Sequence, residues 1–285
     1  MKNIVTFGEV LMDCLPDKNV IGGAPFNVAI HLKRFENQVT FISKIAKDDF
    51  GKELFEFAKN EKIEKGISFD KNHPTGFVSV EFIENEPQYT IETEKAWQFI
   101  DYVAIDNPVD VFIYGSLALF FEKNQITFLQ YKSENPEAIF VCDLNLRGDF
   151  YSEKTINLCL SNTTILKVND DEWIYLKEIY KQNTDNQLLD YLKNTFRLIK
   201  IIRTQSHKGA LVYWDNKIIQ QSTTMILDNL FKDAIGAGDG FLASFLNSYF
   251  KENDVQKALQ KALIFAGNIC QFSGAIPSDR NIYLS

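Results

Sequence analysis

The stretch DAIGAGDGFLASFLNSYF, Asp233 to Phe250, sets three glycines among five residues beside an aspartate, directly before an apolar run of helical spacing. Small residues let backbone N–H groups come close to a ligand. A helix start adds unpaired donors and a partial positive charge. The backbone of Gly236, Ala237 and Gly238 therefore reads as an anion site made without lysine, and phosphate is its natural guest. Asp239 falls in the first helical turn. A carboxylate beside an anion is poor for binding alone, but it suits a base that takes a proton from an attacking hydroxyl. It needs no raised pKa, since the helix end favours its ionised form. The alternative is a helix cap with turn-forming glycines. The spacing fits neither GxxxxGK[ST] nor GxGxxG, so neither a P-loop nor a dinucleotide fingerprint is present.

Outward from this stretch, short apolar runs alternate with helical patterns. Strands are predicted at 4–8, 39–45, 109–115, 138–145, 164–169 and 198–204. Helices are predicted at 25–35, 50–60, 124–132, 170–180, 186–194 and 238–250. Continuous apolar strands alternating with helices imply an α/β fold with a mainly parallel central sheet and helices on both faces. Residues 76–93 break the rhythm. They alternate at period two and turn at Asn85-Glu86-Pro87, as an antiparallel hairpin would: a small β-lid, or an edge ribbon without a role. With no linker-like tract, residues 1–285 read as one domain with lid elements near 11–20 and 76–93.

Ligands of open α/β sheets bind beyond the carboxyl ends of the strands. Four turns are placed there: GGAPFN (22–27), DLNLR (143–147), KVNDDE (167–172) and DAIGAGD (233–239). In the first, Gly22 and Gly23 permit close approach, and Asn27 offers a donor and an acceptor to a polyhydroxy ligand. Asp13, just after the first strand, could accept two sugar hydroxyls or be a solvated loop acid. Arg147 could neutralise a moving phosphoryl group or be a surface arginine. Asn169 and Glu172 could hold a hydrated magnesium ion, although N-D-D-E also suits a helix start.

Net charge is −8, from 30 basic and 38 acidic residues, with no basic run. Nucleic acid and anionic membranes are thus excluded as main partners. No apolar run approaches the ~20 residues of a membrane span, and the N-terminus does not resemble a signal peptide. Four scattered cysteines read as reduced thiols of a cytoplasmic protein.

In order, GEVLMD, GGAPFNVA, DLNLR and DAIGAGD resemble the ribokinase-like sugar kinases (the phosphofructokinase B group), bacterial fructokinases most of all. The resemblance covers nearly the whole chain. It implies an ATP-dependent kinase of a ketohexose such as fructose. Ribose, a keto-deoxy sugar acid or a nucleoside are alternative acceptors, and an idle sugar- or nucleotide-binding relative is another. It further implies Mg²⁺, a monovalent cation such as K⁺, and a homodimer formed through the lid. By position, Asp239 resembles the base, Gly236 to Gly238 the anion hole, and Arg147 a residue near sugar and γ-phosphate. Asp13, Gly22, Gly23 and Asn27 match sugar-binding positions. Asn169 and Glu172 match the magnesium–phosphate network, and Asp233 the cation site. Thr204, Ser206 and Gly209, in the TQSHKGA turn, lie where the family contacts ATP. Ala234 stands where the family has threonine, and Ser206 where it has glycine.

Overall fold

The computed structural model describes residues 2–15, 18–83, 86–223 and 230–284. Its strands are β1 (Asn3–Phe7), β2 (Leu11–Cys14), β3 (Asn19–Gly22), β4 (Gln38–Ala46), β5 (Ile67–Asp70), β6 (Gly76–Ile83), β7 (Glu86–Ile91), β8 (Val111–Gly115), β9 (Ile139–Asp143), β10 (Ile165–Asn169), β11 (Lys200–Thr204), β12 (Ala210–Trp214) and β13 (Lys217–Gln221). Its helices are α1 (Ala24–Arg34), α2 (Asp49–Asn60), α3 (Ser116–Leu119), α4 (Glu122–Glu134), α5 (Glu153–Ser161), α6 (Asp170–Ile179), α7 (Asp185–Phe196), α8 (Ala237–Glu252) and α9 (Val255–Ile269).

The central sheet runs β13-β12-β11-β10-β9-β8-β1-β4-β5. It is parallel from β5 to β11 and ends in an antiparallel pair. Successive strand residues face opposite ways, and both faces are covered. Ile4, Ile113 and Ile165 pack with α1, α8 and α9. Val5, Phe112 and Leu166 pack with α4 to α7. Burial on both faces is why these strands read as unbroken apolar runs. Each fully buried Ile, Val or Phe side chain contributes about 1.5–3 kcal/mol.

The chain winds one way from β1 through β4 to β5, and the other way from β8 through β11. The order thus reverses beside β1, and a crevice opens at the carboxyl ends of β1 and β8, where such sheets bind ligands.

A second sheet, β3-β2-β6-β7, joins the two segments expected near 11–20 and 76–93. Asn85, the first residue of the expected turn, lies outside the described residues, as do residues 16 and 17. Glu86 and Pro87 do not turn the chain. They already belong to β7, paired with Ile83 and Phe82. β7 is an edge strand, where a proline costs no ladder bond. Asp13 sits on β2 opposite Val20 and Val78, which removes the reading of it as a solvated loop acid.

Candidate active site

α8 begins after Gly236, whose φ of 72° is left-handed. A Cβ at this residue would also run into Ala275. The N-cap glycine has no side chain to cap this helix; the Ala237 N–H donates to Ala234 O at 3.2 Å, and among the described residues the N–H groups of Gly238 and Asp239 remain available to a ligand. Asp239 is therefore not the cap. It is half-buried, and its Oδ2 accepts a 2.8 Å hydrogen bond from Asn27 Nδ2. Two sequence-predicted residues from segments more than 200 positions apart thus meet directly.

Burial pushes the Asp239 carboxyl up to about 6. Asp143 adds to the rise, while Asn27, Lys167 and Arg147 oppose it. The helix end does not hold it at the ordinary value, contrary to the sequence expectation. Burial likewise raises Asp13 to about 6, against Arg147. Arg147 is exposed, and its guanidinium makes no hydrogen bond or ion pair among the described residues. Its positive charge nonetheless opposes the rise in the pKa of Glu9, Asp13 and Asp239 alike.

The expectation of an anion site without lysine is corrected. Lys167 on β10 pairs with Asp143 on β9, its Nζ 2.9 and 2.8 Å from the two carboxylate oxygens. A Cβ on Gly238 would lie 3.3 Å from the same Nζ. A buried ammonium therefore stands against the glycine loop. Burial disfavours its charge, but Asp143, Glu172 and Asp239 outweigh that and raise its pKa. The sequence carried half a signal for it, a lysine inside an apolar strand; the parallel register that sets it beside Asp143 belongs to the fold.

Glu9 was also missed. It is 3% exposed, and its Oε2 has no hydrogen-bond partner among the described residues. Burial raises it to about 7, with Asp239 adding and Arg147 opposing. It lines a small cavity of about 10 Å³ together with Pro25, Ser116, Asp143 and Asn145, at the point where the strand order reverses.

The KVNDDE segment forms a capping box. Asn169 Oδ1 accepts from Glu172 N, and Glu172 Oε2 accepts from Asn169 N, both at 2.8 Å. Glu172 Oε1 takes Leu146 N at 2.9 Å, so this buried carboxylate also ties down the turn that carries Arg147. The Asn169 and Thr204 backbones lie side by side in parallel register. Ser206 is exposed with φ 51°, a left-handed conformation that costs a non-glycine residue about 1 kcal/mol. Gly209 packs on the backbone of Gln221 and Ser222, which closes the turn from β11 to β12. Asp233 Oδ1 accepts from Ile235 N at 2.9 Å and Oδ2 from Gly274 N at 3.0 Å. GGAPFN follows β3 of the small sheet, not a strand of the central one. A Cβ on Gly22 would come 2.5 Å from Asp13 Oδ2, so this glycine makes room for that carboxylate.

The family described as pfkB family carbohydrate kinase matches residues 1–281. The chain belongs to the pfkB family of carbohydrate kinases. It is accordingly a phosphotransferase. It is 26% identical to a probable fructokinase-2 of Arabidopsis thaliana, over 96% of this chain and 92% of that relative. Fructokinase-2 of Zea mays is 25% identical over 96% and 90%. Among solved structures, a double mutant of fructokinase from Vibrio cholerae, with fructose, ADP and potassium bound, superposes with a TM-score of 0.83. It is 21% identical, and the match covers 100% of this chain and 98% of that one. Aminoimidazole riboside kinase from Salmonella enterica gives 0.78 at 19% identity, covering 99% of each chain. These two likenesses are of fold. Among the described residues, no helix is long and apolar enough to cross a membrane.

Proposed function

We propose that this pfkB kinase is an ATP-dependent fructokinase that transfers the γ-phosphoryl group to a hydroxyl of the ketohexose. The observation that carries the reading is the Asn27–Asp239 pair at the uncapped start of α8. It holds a carboxylate at the mouth of an anion site, where an attacking hydroxyl must lose its proton. The acid-rich pocket around Asp13 and Glu9 suits a neutral polyol better than a sugar acid.

As the sugar oxygen bonds to the γ-phosphorus, its proton passes to Asp239. The bond from phosphorus to the bridging oxygen breaks, and ADP leaves with that electron pair. The N–H groups at the start of α8, Lys167 and Arg147 hold the charge that spreads over the phosphoryl oxygens. Thr204, Ser206 and Gly209 would line the nucleotide.

Both oxygens of Glu172 already accept backbone N–H groups. Asn169 and Glu172 therefore fit waters of a hydrated magnesium better than direct bonds to the ion. Bound there, magnesium would neutralise phosphate charge. The fit for a monovalent cation at Asp233 is poor, because N–H donors point at both its oxygens, and no step is assigned to one.

An ADP-release assay over a panel of fructose, ribose, glucose, a keto-deoxy sugar acid and nucleosides tests the substrate. Fructose is expected to turn over fastest. Turnover of another acceptor alone would leave the kinase and remove fructose.

Two further outcomes follow from the geometry. A base must be ionised to accept a proton, so kcat/KM is expected to fall as pH drops through about 6. A kcat/KM–pH profile flat down to pH ~4.5 would refute Asp239 as that base. Gly22→Ala would press a methyl on Asp13 Oδ2. Its expected effect is a rise of roughly tenfold in sugar KM with a smaller change in kcat, read by steady-state kinetics.

A further inference from the structure

We propose that Glu9 is a positioning residue for phosphoryl transfer, seating the start of α1 so that Asn27 meets Asp239. This rests on the kinase reading above.

Three successive residues after β1 meet three successive residues at the start of α1. A Cβ on Gly8 would lie 2.6 Å from Pro25 Cγ. The Glu9 side chain lines one cavity with Ala24, the first residue of the helix, and Pro25, and the backbone N–H groups of Glu9 itself and of Ala24 favour its charged form. The Glu9 carbonyl oxygen and Val10 Cα lie 2.5 and 3.0 Å from where a Cβ on Gly23 would be.

α1 has no cap of its own. Its N-cap residue is Gly23, which has no side chain to offer, and its first turn carries no acid. The carboxylate that an N-terminus favours comes instead from Glu9, across the chain. Asn27 follows one turn after Ala24, so the seat of the helix sets where the Asn27 amide reaches Asp239. A buried carboxylate costs stability unless it is bound. Here backbone N–H groups offset part of that cost, while Oε2 has no hydrogen-bond partner among the described residues and the side chain lines the cavity shared with Asp143 and Asn145. An apolar residue would pack there more cheaply, so the carboxylate answers a need of the site.

The test is a double-mutant cycle in kcat, measured by ADP release with the sugar that the unaltered protein phosphorylates. Glu9→Ala is expected to lower kcat by about 10- to 50-fold with sugar KM changed less than about threefold, since small misplacements of reacting groups cost that much. Made in an Asn27→Ala background, it is expected to lower kcat by no more than about twofold further, because both changes break one chain of contacts. Glu9→Gln keeps an oxygen for the Ala24 N–H and is expected to stay within about threefold of the unaltered protein. Gly23→Ala disturbs the same seat from the other side and keeps the test alive should Glu9→Ala not fold. It is expected to be equally non-additive with Asn27→Ala. Losses that multiply in the double variants would overturn the positioning role, as would Glu9→Gln behaving like Glu9→Ala. No turnover by the unaltered protein on any acceptor would remove the kinase reading and this role with it. Turnover with multiplied losses would remove the role alone.

Discussion

Asp239→Asn is expected to lower kcat by about 10³-fold while ATP and sugar still bind. The change is nearly isosteric and removes only the ability to take a proton. A positioned general base is worth about 10² to 10⁴ in rate. The partner on Asp239 can adapt. Asn27 donates from Nδ2, and its buried Oδ1 has no hydrogen-bond partner among the described residues, so a flip of its amide would accept from the new side chain. The half-buried site also loses a charge that burial already disfavours, so folding is not expected to suffer. Calorimetric titration with ATP and with sugar should return dissociation constants within a few-fold of the unaltered protein. Turnover near normal would sink the assignment of the base. Lost binding would show instead that Asp239 holds a ligand.

The parallel half of the fold was legible because its physics is local. Strands buried on both faces become continuous apolar runs, and β1, β4, β8, β9, β10 and β11 lie within a few residues of their expected limits. Elements with weaker local patterns escaped. β2 and β3 have four residues each, too few to show a period, and their stability comes from pairing with each other and with β6. The β12–β13 hairpin was missed although Asp215 and Asn216, both at positive φ, carry the chemistry of a two-residue turn. α9 was missed despite Ala258, Leu259, Ala262 and Leu263 at helical spacing.

The site divides the same way. Gly236 and Asp239 announce themselves within seven residues. Two other parts depend on register between distant segments, which spacing along the chain cannot show: the Lys167–Asp143 pair, and the seat that residues 8–10 form for residues 23–25. N-D-D-E at 169–172 had two readings from the start. The capping box accounts for both side chains.

Lys167→Met separates what the buried pair does for stability from what it does for the reaction. Lys167 and Asp143 are each about 8% exposed, and the ammonium is bonded to both carboxylate oxygens. Removing one member of such a pair strands the other in a poorly solvating interior, at a cost of about 3–5 kcal/mol. For a chain of this size that is a fall in Tm of roughly 10 °C, read by calorimetry. Turnover is expected to fall as well, by about 10²-fold, because the same ammonium faces Gly238 in the anion loop. The double variant Lys167→Met with Asp143→Leu removes both charges. Replacing a buried pair by apolar groups is often neutral, so most of the lost Tm should return. The lost turnover should not return, since the loop still lacks its cation. Recovery of both in the double variant would mean that Lys167 serves only Asp143. A single variant with unchanged Tm would mean that the pair is not held as the structure shows.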